Sequence, residues 1–302
     1  MSPRAERVAD LTEAAALLRD GMVVGLSGFS YQNPPMAIVR EIIRRGVKDL
    51  TVVSGPTSGL ETDLLIGAGC VRRVMTAGVA FERVAAIAPA FRRAAERGDL
   101  SVWECDECIW HLALKAAAWD MPHLLWRGGV GTSLPELNPD LEEVTEGGRR
   151  YIRVPPVRPD IVFLHAAEAD PFGNVRVARE AYLGRTFCER ALTLACRGPV
   201  VATVERIVPN LDVAASPERT IVRGALVVPV PWGAHPGGVS GRYVPDLEHY
   251  RKYAAAGEAR RRDDPVPYQA YLERHVFGLD GQEAYLKEIG AARLDRLGMS
   301  WA

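Results

Sequence analysis

The chain has 302 residues, with 37 Lys plus Arg against 38 Asp plus Glu, 48% hydrophobic residues and 25% charged residues. That balance excludes a disordered chain, which is poor in apolar residues and high in net charge. It also gives no overall electrostatic reason to hold DNA or an anionic membrane, although a local basic patch is compatible with it. The length admits one large α/β domain or two smaller ones, with a core that needs no disulfide or metal for stability. Five cysteines, at positions 70, 105, 108, 188 and 196, are odd in number in a long chain and argue against a secreted disulfide framework. The opening MSPRAERVADLTEAA has no continuous apolar stretch, so no signal peptide is expected. No window approaches the roughly 18 apolar residues of a membrane span. The expected setting is a reduced cytoplasm.

The first half alternates helical and strand-like patterns. Helices are predicted over Leu11–Leu18 with Thr12 as N-cap, Met36–Arg45 after Pro34-Pro35, Glu61–Gly67, Val84–Glu96 and Ile109–Trp119. Strands are predicted over Met22–Leu26, Leu50–Val53, Val71–Thr76, Leu100–Trp103 and His123–Trp126. Repeated strand–helix units with short Gly-bearing links predict an α/β fold, an open and mostly parallel sheet with helices on both faces. Runs such as VVGL and TVV fit strands buried on both faces. After about Glu143, strands are predicted at 150–154, 160–165, 173–177, 200–204 and 222–230, with one helix, Phe187–Ala195, among them. The tail from Asp246 to Leu297 reads as charged amphipathic helix, and its RRRDD run (260–264) as a solvated surface. Residues 134–150 form the longest connection without an obvious element. No internal repeat or low-complexity linker divides the chain, so residues 1–302 are expected as one domain with a helical C-terminal tail from about 246.

Five segments carry residues with chemistry. Ser27-Gly28-Phe29 follows the first strand, where Gly28 lets backbone N–H groups face the carboxyl edge of the sheet, the usual ligand edge of open α/β folds. The segment lacks both G-x-G-x-x-G and a G-K-S/T ending, so it is neither a dinucleotide fingerprint nor a Walker A loop; a plain strand-to-helix turn is the alternative. In W-E-C-D-E-C-I-W-H (103–111), Glu104, Asp106 and Glu107 stand where a strand passes into a helix. They complement the helix dipole, or a partly desolvated carboxylate among them serves as base or nucleophile. Cys105 and Cys108 are expected as two buried thiols; with His111 they make three ligand candidates at most, so no metal site is expected. R-G-G-V-G-T-S (127–133) offers Gly128, Gly129 and Gly131 as backbone donors for a phosphate or oxyanion, or as a structural loop. D-P-F-G-N-V-R-V (170–177) reads as a turn and strand start. In P-W-G-A-H-P-G-G (231–238), His235 is a catalytic or binding candidate, or bonds to nearby backbone. His165 is expected as a satisfied strand-end residue.

In this order the motifs resemble the α (A) subunit of the family I coenzyme A transferases, most closely the glutaconate type, and are also similar to the A subunit of bacterial steroid ring-cleaving CoA hydrolases. Of the signature D-G-x-x-apolar-G-G-F-x-x-x-G-x-P, Asp20, Gly21, Gly28, Phe29 and Pro35 match, while Ser27 and Asn33 replace two glycines. The resemblance continues through K-D-L-T-V-V (48–53), I-G-A-G-C-V-R-R-V (66–74), A-A-A-W-D-M-P (116–122), G-A-H-P (233–236) and Y-L-K-E-I-G-A-A-R-L (285–294), and so covers almost the whole chain. It implies the CoA-transferase (NagB/RpiA-like) sheet. It also implies a β (B) subunit partner in a heterodimer or α2β2 heterotetramer, an acyl-CoA thioester as substrate, and no bound cofactor.

In such transferases the nucleophilic Glu lies on B, commonly in S-E-N-G, and no S-E-N-G occurs here. The Glu attacks the acyl-CoA thioester, and backbone donors stabilise the developing oxyanion. Ser27, Gly28, Phe29, Gly128, Gly129, Gly131 and His235 are then expected to line the substrate and CoA pocket. The hydrolase resemblance allots chemistry differently. Its A subunit carries an E-x-D-E pattern where Glu104-Cys105-Asp106-Glu107 stands, with Cys108 where that family tends to have Gly. In that reading Glu107, and secondarily Glu104, would act as general base or nucleophile in opening a ring by carbon–carbon cleavage. A third reading is a non-catalytic acyl-CoA-binding subunit.

Overall fold

The computed structural model describes residues 5–178 and 187–299, apart from the side chains of residues 187 and 299. In chain order the first half runs α1 (Leu11–Ala15), β1 (Val23–Leu26), α2 (Met36–Arg44), β2 (Leu50–Ser54), α3 (Leu60–Gly67), β3 (Val71–Met75), α4 (Pro89–Arg97), β4 (Ser101–Trp103), α5 (Glu107–Ala118), β5 (Leu124–Trp126), α6 (Leu134–Leu137), β6 (Glu142–Glu146) and β7 (Arg149–Val154). There follow β8 (Ile161–Ala169), β9 (Val175–Arg176), α7 (Phe187–Ala195), β10 (Val200–Ile207), α8 (Asn210–Ala214), β11 (Thr220–Val222) and β12 (Leu226–Pro229). Helices α9 (Leu247–Arg261), α10 (Val266–Leu272), α11 (Gly281–Ile289) and α12 (Ala291–Met299) close the chain, with a π-helical turn at Glu273–Phe277.

The main sheet has the parallel order β4-β3-β2-β1-β8-β10-β12, and β9 and β11 attach antiparallel at the far end of β8. The expected open, mostly parallel α/β sheet is what forms. Side chains alternate across it as the two-residue strand period requires. Val52 and Phe163 enter one apolar cluster, with Ile38, Ile42 and Leu64 of the neighbouring helices. Val53 and Val162 enter the opposite one, with Trp103, Trp110 and Leu192. The C-terminal helices complete the first cluster through Tyr250, Tyr253, Tyr268 and Val276.

Several local expectations are corrected. The cap of α1 is Asp10, whose Oδ1 accepts the Glu13 N–H at 2.7 Å while Glu13 Oε2 accepts the Asp10 N–H at 3.1 Å; a reciprocal capping box therefore starts the helix before Thr12. Helix α4 begins at Pro89, five residues after Val84, because Phe81–Ala85 closes a tight turn of its own. β5 does not extend the main sheet: it pairs antiparallel with β7, and β6 pairs on the other side of β7, in a separate three-stranded sheet. The supposed loop at 134–150 contains α6 and the β6–β7 hairpin, closed by Gly147 and Gly148, both with positive φ as a two-residue hairpin turn demands. The 222–230 strand is two strands broken at Arg223-Gly224. In the RRRDD run, Arg260 is not free surface: it donates to Gly67 O at 2.7 Å and lies over Tyr268.

Candidate active site at the carboxyl edge of the sheet

β1 ends at Leu26, and Ser27 beyond it is wholly buried. The Ser27 Oγ donates to Asn33 O and accepts the His165 N–H, both at 3.2 Å, so it ties the loop to β8. Gly28 follows with φ +127°, a backbone state hard for an L side chain, and a Cβ there would lie 3.4 Å from Glu61 Cδ and from Pro34 Cα. Gly55, after β2, is needed for close approach: a Cβ would meet Gly28 O at 2.4 Å and Cys188 Sγ at 3.3 Å. Phe29 closes a tight turn with Gln32, so its N–H is engaged within the chain at 3.1 Å and is not an outward donor. The Gly28 N–H has no hydrogen-bond partner among the described residues.

Beneath this turn lies a carboxylate that the sequence reading missed. Glu61, in the first turn of α3, has no exposed surface; its Oε1 accepts Ser58 Oγ at 2.8 Å and the Gly59 N–H at 2.7 Å. Its Oε2 is buried without a partner among the described residues, as are Ser30 Oγ and Ser54 Oγ. Burial pushes the Glu61 carboxyl up to about 7 against those two hydrogen bonds, and Asp63 nearby adds to the rise. Glu189 on α7 is also raised to about 7 by burial, with neither oxygen paired among the described residues. The Cys188 thiol is driven up by burial and then by the charges of Glu189, Glu107 and Glu61. The only sequence sign of Glu61 is an acid opening a helix one strand from Gly28, a pattern shared with ordinary solvated helix starts.

The E-C-D-E segment separates into roles. Asp106 is the N-cap of α5, accepting the Ile109 N–H on Oδ1 at 2.6 Å. That leaves Glu104 and Glu107 free of capping duty. Both are exposed, so the desolvation expected of them is absent in this chain. The Glu104 carbonyl is held by Asn138 Nδ2 at 2.8 Å, which uses the 134–141 segment to fix the turn. Cys105 is buried and its thiol pushed up to about 12, by burial first and then by Asp106 and Glu104. Cys108, expected to be buried, is exposed because α5 turns its first residues to solvent.

The glycine loop after β5 is braced against the small sheet. Gly129 and Gly131 have positive φ, and a Cβ on Gly128 would lie 2.3 Å from Trp126 Nε1. Gly131 N–H already donates to Glu143 Oε2 at 3.3 Å. Val130 and Trp126 reach the same apolar cluster as Phe29. His235 is wholly buried between the sheet and the C-terminal helices, with Nδ1 2.8 Å from Tyr285 Oη and Nε2 3.3 Å from Asp246 Oδ2. Burial lowers its pKa against the pull of Asp246. Its loop packs against the segment after Gly28, with the Asn33 N–H on Gly238 O at 2.9 Å and the Gly238 N–H on Tyr31 O at 2.7 Å. His165 is satisfied as expected, by Thr203 Oγ1 and Glu205 Oε1, each at 2.8 Å, but it lies in the middle of β8 and not at a strand end, because the strand runs on to Ala169.

A family model described as Coenzyme A transferase matches residues 8–228. An uncharacterized protein of Archaeoglobus fulgidus is 31% identical over 302 residues; the alignment takes in 97% of this chain, which spans 64% of that protein's length. The cholesterol ring-cleaving hydrolase IpdA subunit of Mycobacterium tuberculosis is 32% identical over 299 residues, covering 94% of this chain and 98% of that one. The A subunit of glutaconate CoA-transferase from Acidaminococcus fermentans is 27% identical, covering 96% and 94%. The crystal structure of that transferase superposes with a TM-score of 0.87 at 26% identity, covering 96% of this chain and 95% of the other. With its parallel sheet, its Gly28 turn and a family match over more than two thirds of its length, the chain belongs to the coenzyme A transferase family, as a member of the A-subunit type.

Proposed function

We propose that the chain is the A subunit of a heteromeric enzyme of the glutaconate type that moves CoA between an acyl-CoA thioester and a carboxylic acid. The observation that carries this reading is the extent of the likeness to glutaconate CoA-transferase: it takes in the sheet and the C-terminal helices together, at nearly full length of both chains. The nucleophilic Glu would come from a B subunit, in a heterodimer or α2β2 assembly in the cytoplasm. It attacks the thioester carbon and releases CoA thiolate, leaving an acyl–glutamyl anhydride. The thiolate then attacks the glutamyl carbonyl, frees the first acid and leaves a glutamyl-CoA thioester. The second acid takes the CoA by the reverse of these steps. Ser27, Gly28, Phe29 and the Gly128–Gly131 loop would form this chain's wall of the pocket, with the Gly28 N–H free for an oxyanion. His235, buried behind Asp246 and Tyr285, would hold the C-terminal helices in place. No bound cofactor is needed.

One observation favours a second reading, a ring-opening CoA-ester hydrolase: Glu107 has no capping role and is exposed at the start of α5. Glu107→Gln separates the two. Co-expressed with a B subunit, the variant is expected to retain CoA exchange within about threefold, with the hydroxylamine-sensitive glutamyl thioester on B. A loss of turnover of a hundredfold or more, with assembly intact, would overturn the transferase reading and assign the chemistry to Glu107.

A further inference from the structure

At the far end of β8, one carboxylate holds four guanidinium groups. Glu168, with a side chain 3% exposed, accepts Arg176 Nε at 2.6 Å, Arg206 Nε at 2.8 Å and Arg242 Nη2 at 2.6 Å, with Arg219 Nη2 at 3.6 Å. Burial alone would raise the Glu168 carboxyl, but the hydrogen bonds and charges of Arg206 and Arg176 outweigh it and hold it below its ordinary range. It is therefore ionised at neutral pH, and four positive charges meet one negative charge. Among the described residues no other carboxylate bonds these arginines: Asp170 bonds Asn174 and Asn210, Glu205 bonds His165, Tyr243 and the Trp232 N–H, and Asp212 offers Arg176 only its carbonyl.

The excess faces outward. The Arg206 side chain is 56% exposed and that of Arg242 31% exposed. Arg242 Nε is buried without a hydrogen-bond partner, and neither Nη1 of Arg206 nor Nη1 of Arg242 has an acceptor among the described residues. The place is also specific. Glu168 lies three residues beyond His165, whose N–H binds Ser27 Oγ, so it stands about 10 Å past the Gly28 turn at about 3.3 Å per strand residue. Arg242 belongs to the tight turn at 239–243, whose Ser240 Oγ lies 3.3 Å from Gln32 Oε1, and Gly238 before it donates to Tyr31 O at 2.7 Å. The arginine cluster and the Gly28 turn thus share one wall.

We propose that Arg206 and Arg242, ordered by Glu168 and backed by Arg176 and Arg219, bind an oxyanionic group of the substrate pair: a phosphate of the CoA moiety or a carboxylate of the acid. Guanidinium forks match both groups in bidentate fashion. Because Glu168 already fixes the side chains, binding loses little rotamer entropy. The choice between these ligands rests on the acyl-CoA reading above; the anion site itself rests on this chain alone.

The test is calorimetric titration of the full chain at low salt with CoA, inorganic pyrophosphate and glutarate, repeated with Arg206→Gln/Arg242→Gln. At least one probe is expected to bind, more weakly as salt rises, and to lose tenfold or more in affinity in the double variant. Binding of CoA and pyrophosphate without glutarate assigns the phosphate source, and binding of glutarate alone assigns the acid. Thermal melts confirm the fold of the variant; if it does not fold, the exposed single variant Arg206→Gln is measured, with the same loss expected. The proposal is overturned if no probe binds the wild-type chain at millimolar concentration, or if the variant binds as the wild type does. It is likewise overturned if anion affinity is unchanged and only assembly with a B subunit is lost, which would mark a docking surface. Anion binding without CoA exchange in the assembled enzyme would count against the transferase reading and leave the site standing.

Discussion

Glu61 makes the chain's stability depend on pH in a direction opposite to that of most carboxylates. A carboxylate paired with cations is stabilised when ionised. Glu61 is sealed under the Gly28 turn with one oxygen unpartnered, and its ordinary value of 4.5 rises to about 7. At about 1.4 kcal/mol per pH unit, that rise corresponds to about 3 kcal/mol between the two protonation states. The sign follows from proton counting. Between pH 4.5 and 7 the folded chain holds a proton on Glu61 that the unfolded chain has released, so stability falls as pH rises. The favourable contribution is complete below 4.5 and is lost as pH passes through 7.

Glu61→Gln keeps the shape and removes the ionisation. Urea unfolding of both proteins at pH 5 and pH 8 isolates the effect, because any fixed cost of the amide cancels when the variant-minus-wild-type difference at one pH is subtracted from that at the other. The variant should gain about 2–3 kcal/mol on the wild type between these two pH values. Asp63, raised to about 6, and Glu189, raised to about 7, keep their own slopes in the variant, so its stability still declines, though less steeply. A difference that is the same at both pH values, within about 0.5 kcal/mol, would refute the argument and mean that water or a conformational opening reaches Glu61.

Three further outcomes follow from the same geometry. Gly28→Ala places a Cβ at φ +127°, in contact range of Glu61 and Pro34, and should cost about 1–3 kcal/mol in denaturant unfolding; unchanged stability would show that the turn adapts freely. The pKa of His275 is lowered to about 4, chiefly by burial and then by the Arg274 charge. Its folded form resists protonation, so stability present above 6.5 is lost as pH falls toward 4, and His275→Phe should flatten that loss in thermal melts from pH 7 to 4. In the assembled enzyme, Glu107→Gln should leave CoA exchange near the wild-type rate, as measured by exchange between acyl-CoA and free acid.

The parallel sheet was legible because buried parallel strands are continuous apolar runs, as in Leu50–Val53 and Met22–Leu26. The β6–β7 hairpin was not, because its strands are rich in Glu and Arg and are held by cross-strand pairs such as Arg153 with Glu142; the Gly147-Gly148 pair was the available sign. β5 looks like another sheet strand in isolation, and only its register with β7 removes it from the main sheet. The D-P-F-G-N motif resolves into local order: Asp170 Oδ1 accepts the N–H groups of Phe172 and Asn174 at 3.0 and 2.9 Å, an Asx-type turn. Glu61 and the Glu168 cluster could not be read locally. Burial of an acid is decided by what packs over it, and Glu168 gathers its arginines from β9, β10 and two later turns, as far as 74 residues along the chain.

The carboxyl edge is closed from below and open from above, and this asymmetry constrains the chemistry. Below the Gly28 turn, Glu61 is already desolvated, but it has no exposed surface from which to meet a thioester. Above it, Glu104 and Glu107 are reachable but exposed to solvent in this chain, and water competes for the charge that either would need as base or nucleophile. A carboxylate that is both reachable and desolvated therefore requires a second surface laid over this edge. In the proposed enzyme that surface is the B subunit, which either brings its own Glu to the Gly28 N–H or dehydrates Glu107 where it stands. A covalent adduct on a Glu of B during turnover therefore marks transfer, whereas turnover without such an adduct that is lost in Glu107→Gln marks chemistry at Glu107.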